Sequence, residues 1–161
     1  MTDTDLRISV KRLLARQLYG VLATRGEGGR PHLSIVAYIS ADDLGGLVFA
    51  TPRNTRKFEY LSKRPEVALF SDDRRERIDD LLEVTGVEVS GTAREVPARD
   101  RGGYRALYLS KFPEMAEFVD APGTALVRIE VDRYDVVDHF QHVLVLSLRE
   151  PGGADSAGDV P

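Results

Sequence analysis

Cysteine is absent from the 161 residues. That removes disulfide frameworks, thiolate nucleophiles and Cys-ligated zinc or iron–sulfur centres together. Histidine is almost as scarce, with His32, His139 and His142 the three in the chain. Positive charge is not in excess either. The 22 Lys and Arg are outnumbered by 26 Asp and Glu, giving a net charge of −4, and an acidic whole argues against nucleic acid as the partner, a local basic patch aside. The N-terminus lacks a basic region followed by an apolar core, so no signal peptide is visible, no membrane association is expected, and a cytoplasmic location is inferred. There is no Ser-His-Asp spacing, Gly-rich dinucleotide fingerprint, phosphate-loop signature or internal repeat, so nucleophilic and nucleotide hydrolysis have no support. What is present is ordinary for a globular domain. Hydrophobic residues are 42% and charged ones 30%, and a chain of this length buries roughly 70% of its unfolded surface without metals or disulfides. A single domain over residues 1–150 is expected, followed by a Gly/Asp/Ser-rich tail at 151–161 whose composition reads as disordered, with a small molecule as ligand.

The stretch 47–57, LVFATPRNTRK, organises the rest. Leu47 to Ala50 reads as a buried strand, and Pro52, having no N–H to give a ladder, is expected to end it at Thr51. Asn54 or Thr55 is a suitable N-cap for a short helix carrying Phe58 and Leu61, which must stop near Arg64 because Pro65 follows. Thr51, Thr55, Arg56 and Lys57 then collect hydroxyls and positive charge where the free amides of a first helical turn point outward. Such a combination suits a phosphate. A capped surface helix with solvated cations accounts for the same residues.

Around this centre the pattern is a meander. Leu6, Val10, Leu13, Leu14 and Leu18 form one helix stripe behind a Thr2/Asp5 capping box. Strands follow at 19–25 and 32–40, joined by Gly26-Glu27-Gly28-Gly29. In the second strand Leu33, Ile35, Ala37 and Ile39 share one face while Ser34, Val36, Tyr38 and Ser40 share the other, and this second face is expected to line a pocket. Further strands are expected at 66–71 and at 83–96, the latter with Gly86 and Gly91 as sites of bulging or close approach. A charged connection, 72–80, lies between them. A helix at 99–111 and a turn of helix at 114–119 precede a half-exposed strand at 125–131, which 134–138 continue. The apolar run 140–148 is expected to be buried, on its own barrel or against a second subunit. The fold class is therefore mainly β, a small antiparallel barrel with peripheral helices.

His139 and His142, three residues apart, could ligate a metal if helical, but face opposite ways if extended. His32, after Pro31, either touches a ligand or caps its hairpin. Asp72, Asp73, Asp79 and Asp80 alternate with arginines in a solvated run, so no metal site is assigned to them.

In order and spacing, Leu22-Ala23-Thr24, Gly29-Arg30-Pro31-His32, 47–51, Thr55-Arg56-Lys57 and the run 61–69 resemble the FMN-binding split-barrel family related to pyridoxamine 5′-phosphate oxidase. The likeness spans roughly residues 8–138 and implies a six-stranded antiparallel split barrel. It makes Ala50 and Thr51 the end of the cofactor-binding strand, Thr55, Arg56 and Lys57 the phosphate-binding triplet, and Ile35, Val36 and Ala37 the strand whose backbone meets the isoalloxazine ring. It implies FMN as cofactor, an FMN-dependent oxidoreductase acting on a small-molecule substrate or reduced nicotinamide, and a homodimer, with 108–112 and 140–148 as candidate contacts. Departures are equally informative. Ile35 stands where the vitamin B6 oxidases carry Arg, Ser40 where they carry Lys and Gly86 where they carry Gln, and their C-terminal Arg-Leu-His has no match, so oxidation of pyridoxamine phosphate is not expected. A non-enzymatic flavin or electron carrier, a haem-binding relative using His139 or His142, and a deazaflavin-dependent reductase are the alternatives.

Overall fold

The computed structural model describes residues 1–139 and 141–149. Helix α1, Asp3–Arg16, opens with the capping box that its sequence predicts, since the Asp5 N–H donates to Thr2 Oγ1 at 3.1 Å and the Thr2 N–H donates to the Asp5 carboxylate at 3.0 Å. Its Leu6, Val10, Leu13 and Leu14 are buried. Leu18 is not part of that stripe. The backbone is already extended at Gln17, which leaves Leu18 exposed.

Seven antiparallel strands follow: β1 Tyr19–Arg25, β2 Pro31–Ser40, β3 Gly46–Pro52, β4 Glu66–Asp72, β5 Gly86–Glu95, β6 Thr124–Asp138 and β7 His142–Ser147. The order β3-β2-β1-β4-β5-β6 closes on itself because β3 also pairs with β6, giving a six-stranded barrel with β7 as an extra strand. Strand β6 makes this possible by its length. One edge pairs with β5 from Val127 to Val137, while the other gives its first half to β3 and its second half to β7. The turn between β1 and β2 holds Gly28 and Gly29 at φ 64° and 77°, where a side chain would be strained.

There are two cores. Inside the barrel lie Leu22, Tyr38, Leu47, Phe49, Val127 and Ile129, among others. Outside it, helices α4 (Ala98–Lys111) and α5 (Ala116–Asp120) cover Val48 and Leu126 with Tyr108, Phe112 and Val119. Because β3 is buried on both faces, Leu47 to Ala50 is an unbroken apolar run rather than an alternation. For the same reason Leu126, which shares a face of β6 with Arg128 and Glu130, is fully buried in a strand expected to be half-exposed.

Several boundaries differ from the expectation. The β5 strand begins at Gly86, after a short helix α3, Asp80–Glu83, that ends the charged connection. Val36 and Tyr38 fill the barrel rather than line a pocket, while the opposite face of β2 leaves Leu33 and Ile35 64% and 71% exposed. In β7 only Leu146 is buried, with Val143 and Val145 exposed, because the strand lies on the barrel by one face alone; Phe140 and the tail at 151–161 lie outside the described residues. No helix among the described residues is long and apolar enough to cross a membrane.

One half-buried cation ties the helices to the barrel. Lys111 Nζ donates to Leu14 O (3.2 Å), Gln17 O (2.6 Å) and Tyr38 O (3.0 Å), and lies 4.8 Å from the centre of the Tyr38 ring. It thereby caps carbonyls that the end of α1 leaves unpaired. Burial pushes the ammonium down to about 8.

Candidate functional site

Strand β3 runs one residue further than expected. Pro52 pairs with Thr124, since the missing N–H does not prevent its carbonyl from serving as an acceptor, and that oxygen accepts the Thr55 hydroxyl at 2.9 Å. Helix α2, Arg56–Lys63, then starts with Thr55 as its N-cap, Oγ1 accepting from the Phe58 N–H at 3.4 Å. Thr51 is buried and its hydroxyl lies 3.1 Å from that of Thr55. The two threonines thus spend their hydrogen bonds on the junction itself and make it rigid. The outward-pointing donors are the side chains of Arg56 and Lys57 and the backbone amides of the same two residues, which have no acceptor within the helix, that of Phe58 being taken by Thr55.

Lys57 is half-buried, and neither it nor Arg56 makes an ion pair or side-chain hydrogen bond among the described residues. Burial lowers the Lys57 ammonium from its ordinary 10.5. In the same helix Lys63 is paired with Glu59 at 2.9 Å. A partly desolvated cation without a counter-charge, beside unpaired amides at a helix start, fits an oxyanion such as a phosphate.

The segment 35–37 lies where β2 and β3 part. Their ladder comprises Tyr38↔Phe49, Ile39↔Val48 and Ser40↔Leu47, and stops there. The Tyr38 N–H turns toward β1, donating to Leu18 O at 3.3 Å. By the alternation of antiparallel strands, Ile35 and Ala37 direct their backbone groups toward the edge that β3 has left, and Val36 directs its own toward β1. Ala37 O accepts the Tyr108 hydroxyl at 3.4 Å, and Ala50 lies half-buried against the outer core. Ser34 Oγ is buried with no partner among the described residues. Tyr108 and Ser34 carry no local sequence signal for this position; the first arrives from a distant helix and the second reads as one more alternating residue.

The histidines divide. His32 is half-buried with its ring edge-on to Tyr60 of α2, centroids 5.4 Å apart. His139 and His142 are neither on a helix nor on opposite faces of one strand. A turn with His139 at φ 40° brings the Nδ1 atoms of both rings to Asp138, at 3.4 and 2.8 Å. Burial pushes the Asp138 carboxyl up, but these two contacts outweigh it and hold the group below its ordinary value. Among the described residues no group of three or more His, Asp or Glu could hold a metal ion. A cavity of about 550 Å³ bounded by Phe70, Arg74, Leu81 and Val137 lies away from the β3–α2 junction. It is formed by the charged connection, and we place no chemistry there because its cations and carboxylates largely pair with one another, as Arg74 does with Asp72.

Compared with known proteins, residues 6–138 match the family model described as pyridoxamine 5′-phosphate oxidase. No curated protein matches. Among solved structures, a haem-binding protein from Mycobacterium smegmatis is similar with a TM-score of 0.78 at 18% identity, over 91% of this chain and 58% of that one. A general stress protein 26-related protein of the pyridoxinephosphate oxidase family from Clostridium acetobutylicum gives 0.72 at 17% identity, over 92% and 97%. A FAD-binding protein from Mesorhizobium loti gives 0.66 at 17% identity, over 80% and 91%. At these identities the likenesses establish a shared barrel.

Proposed function

Because the chain belongs to the pyridoxamine 5′-phosphate oxidase family, we propose that it is an FMN-dependent oxidoreductase whose cofactor phosphate is held at the β3–α2 junction by Lys57, Arg56 and the amides of the first turn of α2. The observation that carries this reading is the half-buried Lys57 ammonium with no anionic partner among the described residues. Thr51 and Thr55 hold that turn in place, and the backbone edge that β3 leaves along 35–37, where Ala37 O already accepts from Tyr108, is where the ring would lie. The flavin supplies the hydride chemistry when bound, and the chain binds it, orients it and excludes water. The substrate is a small molecule or a reduced nicotinamide other than pyridoxamine phosphate, given Ile35 and Ser40 in place of its phosphate-binding cations.

We also propose a homodimer, at a different surface from the segment 108–112; in the other candidate segment, 140–148, Val143 and Val145 remain exposed. Tyr108 and Phe112 are buried in the chain's own outer core, so they are not available. Instead Ile35, Val21 and Phe70 are direct neighbours across β2, β1 and β4, flanked by exposed Leu33 and Tyr19. A contiguous apolar face of this kind is the mark of an interface.

A second reading, haem binding, is supported by the likeness to the mycobacterial haem-binding protein and by His142, whose Nδ1 is held by Asp138 so that Nε2 is left outward. Titration with FMN and with haem separates the two. Lys57→Ala should weaken FMN binding by about 1.5–3 kcal/mol, the scale of a charge-assisted hydrogen bond, whereas Arg64→Ala, whose guanidinium donates to Arg25 O instead, should do far less. Equal FMN affinity in wild type and Lys57→Ala would remove the phosphate from this junction.

A further inference from the structure

On the outer face of the barrel, Arg94 of β5 stands directly across the ladder from Arg128 of β6. Like charges in that relation repel, and a nearby carboxylate ordinarily offsets the cost. Here the carboxylates are engaged elsewhere. Glu95 accepts from Arg53 Nε at 2.9 Å, Glu130 pairs with Arg149, and Asp100 lies 3.6 Å from Arg99. Arg94 and Arg128 have no ion pair or side-chain hydrogen bond among the described residues, although Arg128 is half-buried and well placed. Its guanidinium lies 6.0 Å from the centre of the Tyr104 ring, and its stem crosses Gly46 so closely that an added Cβ there would meet Arg128 Nε at 2.9 Å. The two arginines and Tyr104 line a cavity of about 260 Å³ together with Arg99 and with Glu95, Asp100 and Glu130, each of these carboxylates being held by an arginine other than Arg94 and Arg128.

We propose that this cavity binds the phosphate dianion of a small phosphate compound, as a second anion site independent of the β3–α2 junction. Two guanidinium forks on adjacent strands can share the oxygens of one tetrahedral group, and two positive charges match a dianion where a single carboxylate would leave one unbalanced. Tyr104, already beside Arg128, gives an organic substituent an aromatic edge to rest on. The two sites lie on different faces of β3. Arg128 is opposite Val48, on the face that α4 covers, whereas Thr51 lies three residues along with its side chain on the alternate face.

The test is calorimetric titration of the Lys57→Ala protein, in which the junction has lost its lysine, with inorganic phosphate and with phenyl phosphate. Arg128→Gln and Arg94→Gln, added singly, should each lower affinity for inorganic phosphate at least tenfold. Gly46→Ala, which displaces Arg128 without removing its charge, should lower it as well, while Arg12→Gln, on the exposed face of α1 and outside the cavity, should change it less than twofold. Tighter binding of phenyl phosphate identifies an ester as the ligand, and equal binding identifies free phosphate. In otherwise wild-type protein Arg128→Gln should leave FMN affinity unchanged, so the site stands or falls apart from the flavin. Absence of binding before the arginine changes, or an equal loss with Arg12→Gln, would overturn the proposal.

Discussion

Lys57 has burial acting against its charge and no ion pair among the described residues, so its proton is the handle on the proposed phosphate site. The ammonium, not the amine, attracts a phosphate. Since burial lowers the folded-state value below 10.5, FMN affinity should fall as pH rises, starting below the range of an ordinary lysine, and Lys57→Ala should abolish that fall along with most of the affinity. Fluorescence titration of FMN across alkaline pH checks both, and an identical pH profile in the variant would exclude Lys57 as the group responsible. Lys111 is the converse case, a half-buried cation with three carbonyl acceptors. Lys111→Met keeps the length and removes the donor, so it should destabilise the fold by about 2 kcal/mol, the cost of leaving buried acceptors unpaired, seen as a lower urea midpoint. The junction was legible in the sequence because Thr55, Arg56 and Lys57 act within one turn, under rules of capping and helix starts. Lys111 and Tyr108 were not, because what they touch lies in α1 and β2, far away in the chain.

At the scale of elements, strands read best where one face is buried and worst where both or neither are. The β1 strand falls at Tyr19–Arg25 as its alternation predicts. Alternation separates the two faces of β2 but does not say which one the barrel takes, and the face expected to line a pocket fills the barrel with Val36 and Tyr38. In β5, Gly86 and Gly91 both prove to be close approaches. An added Cβ at Gly86 would meet the Phe70 ring at 2.6 Å, and one at Gly91, beside the bulge that follows Ser90, would lie 2.2 Å from Glu130 O. The second is a backbone contact that no rotamer change relieves. Gly91→Ala should therefore cost about 3 kcal/mol, the upper part of the usual range for overpacking. Chemical denaturation measures it, and an unchanged midpoint would show that β5 and β6 separate more easily than this geometry allows.

For the whole molecule, closure of the barrel was readable from the order of strands and helices, whereas the division of the apolar residues into two cores was not. A run such as Leu47 to Ala50 is equally consistent with one core or two until α4 is seen to lie against Val48. The same ambiguity misdirected the expected subunit contact toward Tyr108 and Phe112, which the chain buries for itself. The face that it leaves open carries Ile35, 71% exposed. Ile35→Arg should leave the folded chain as stable as before and convert the proposed dimer to a monomer in sedimentation. A wild-type protein that already sediments as a monomer would contradict the dimer.

The visible absorption spectrum of the purified protein, recorded before and after adding FMN and followed through gel filtration, tests the central claim most directly. The account predicts a flavin spectrum that travels with the protein and is largely lost in Lys57→Ala. A protein that leaves the column colourless after FMN, or that instead takes up haem with a Soret band, would contradict it and return Thr51 to Lys57 to a capped surface helix.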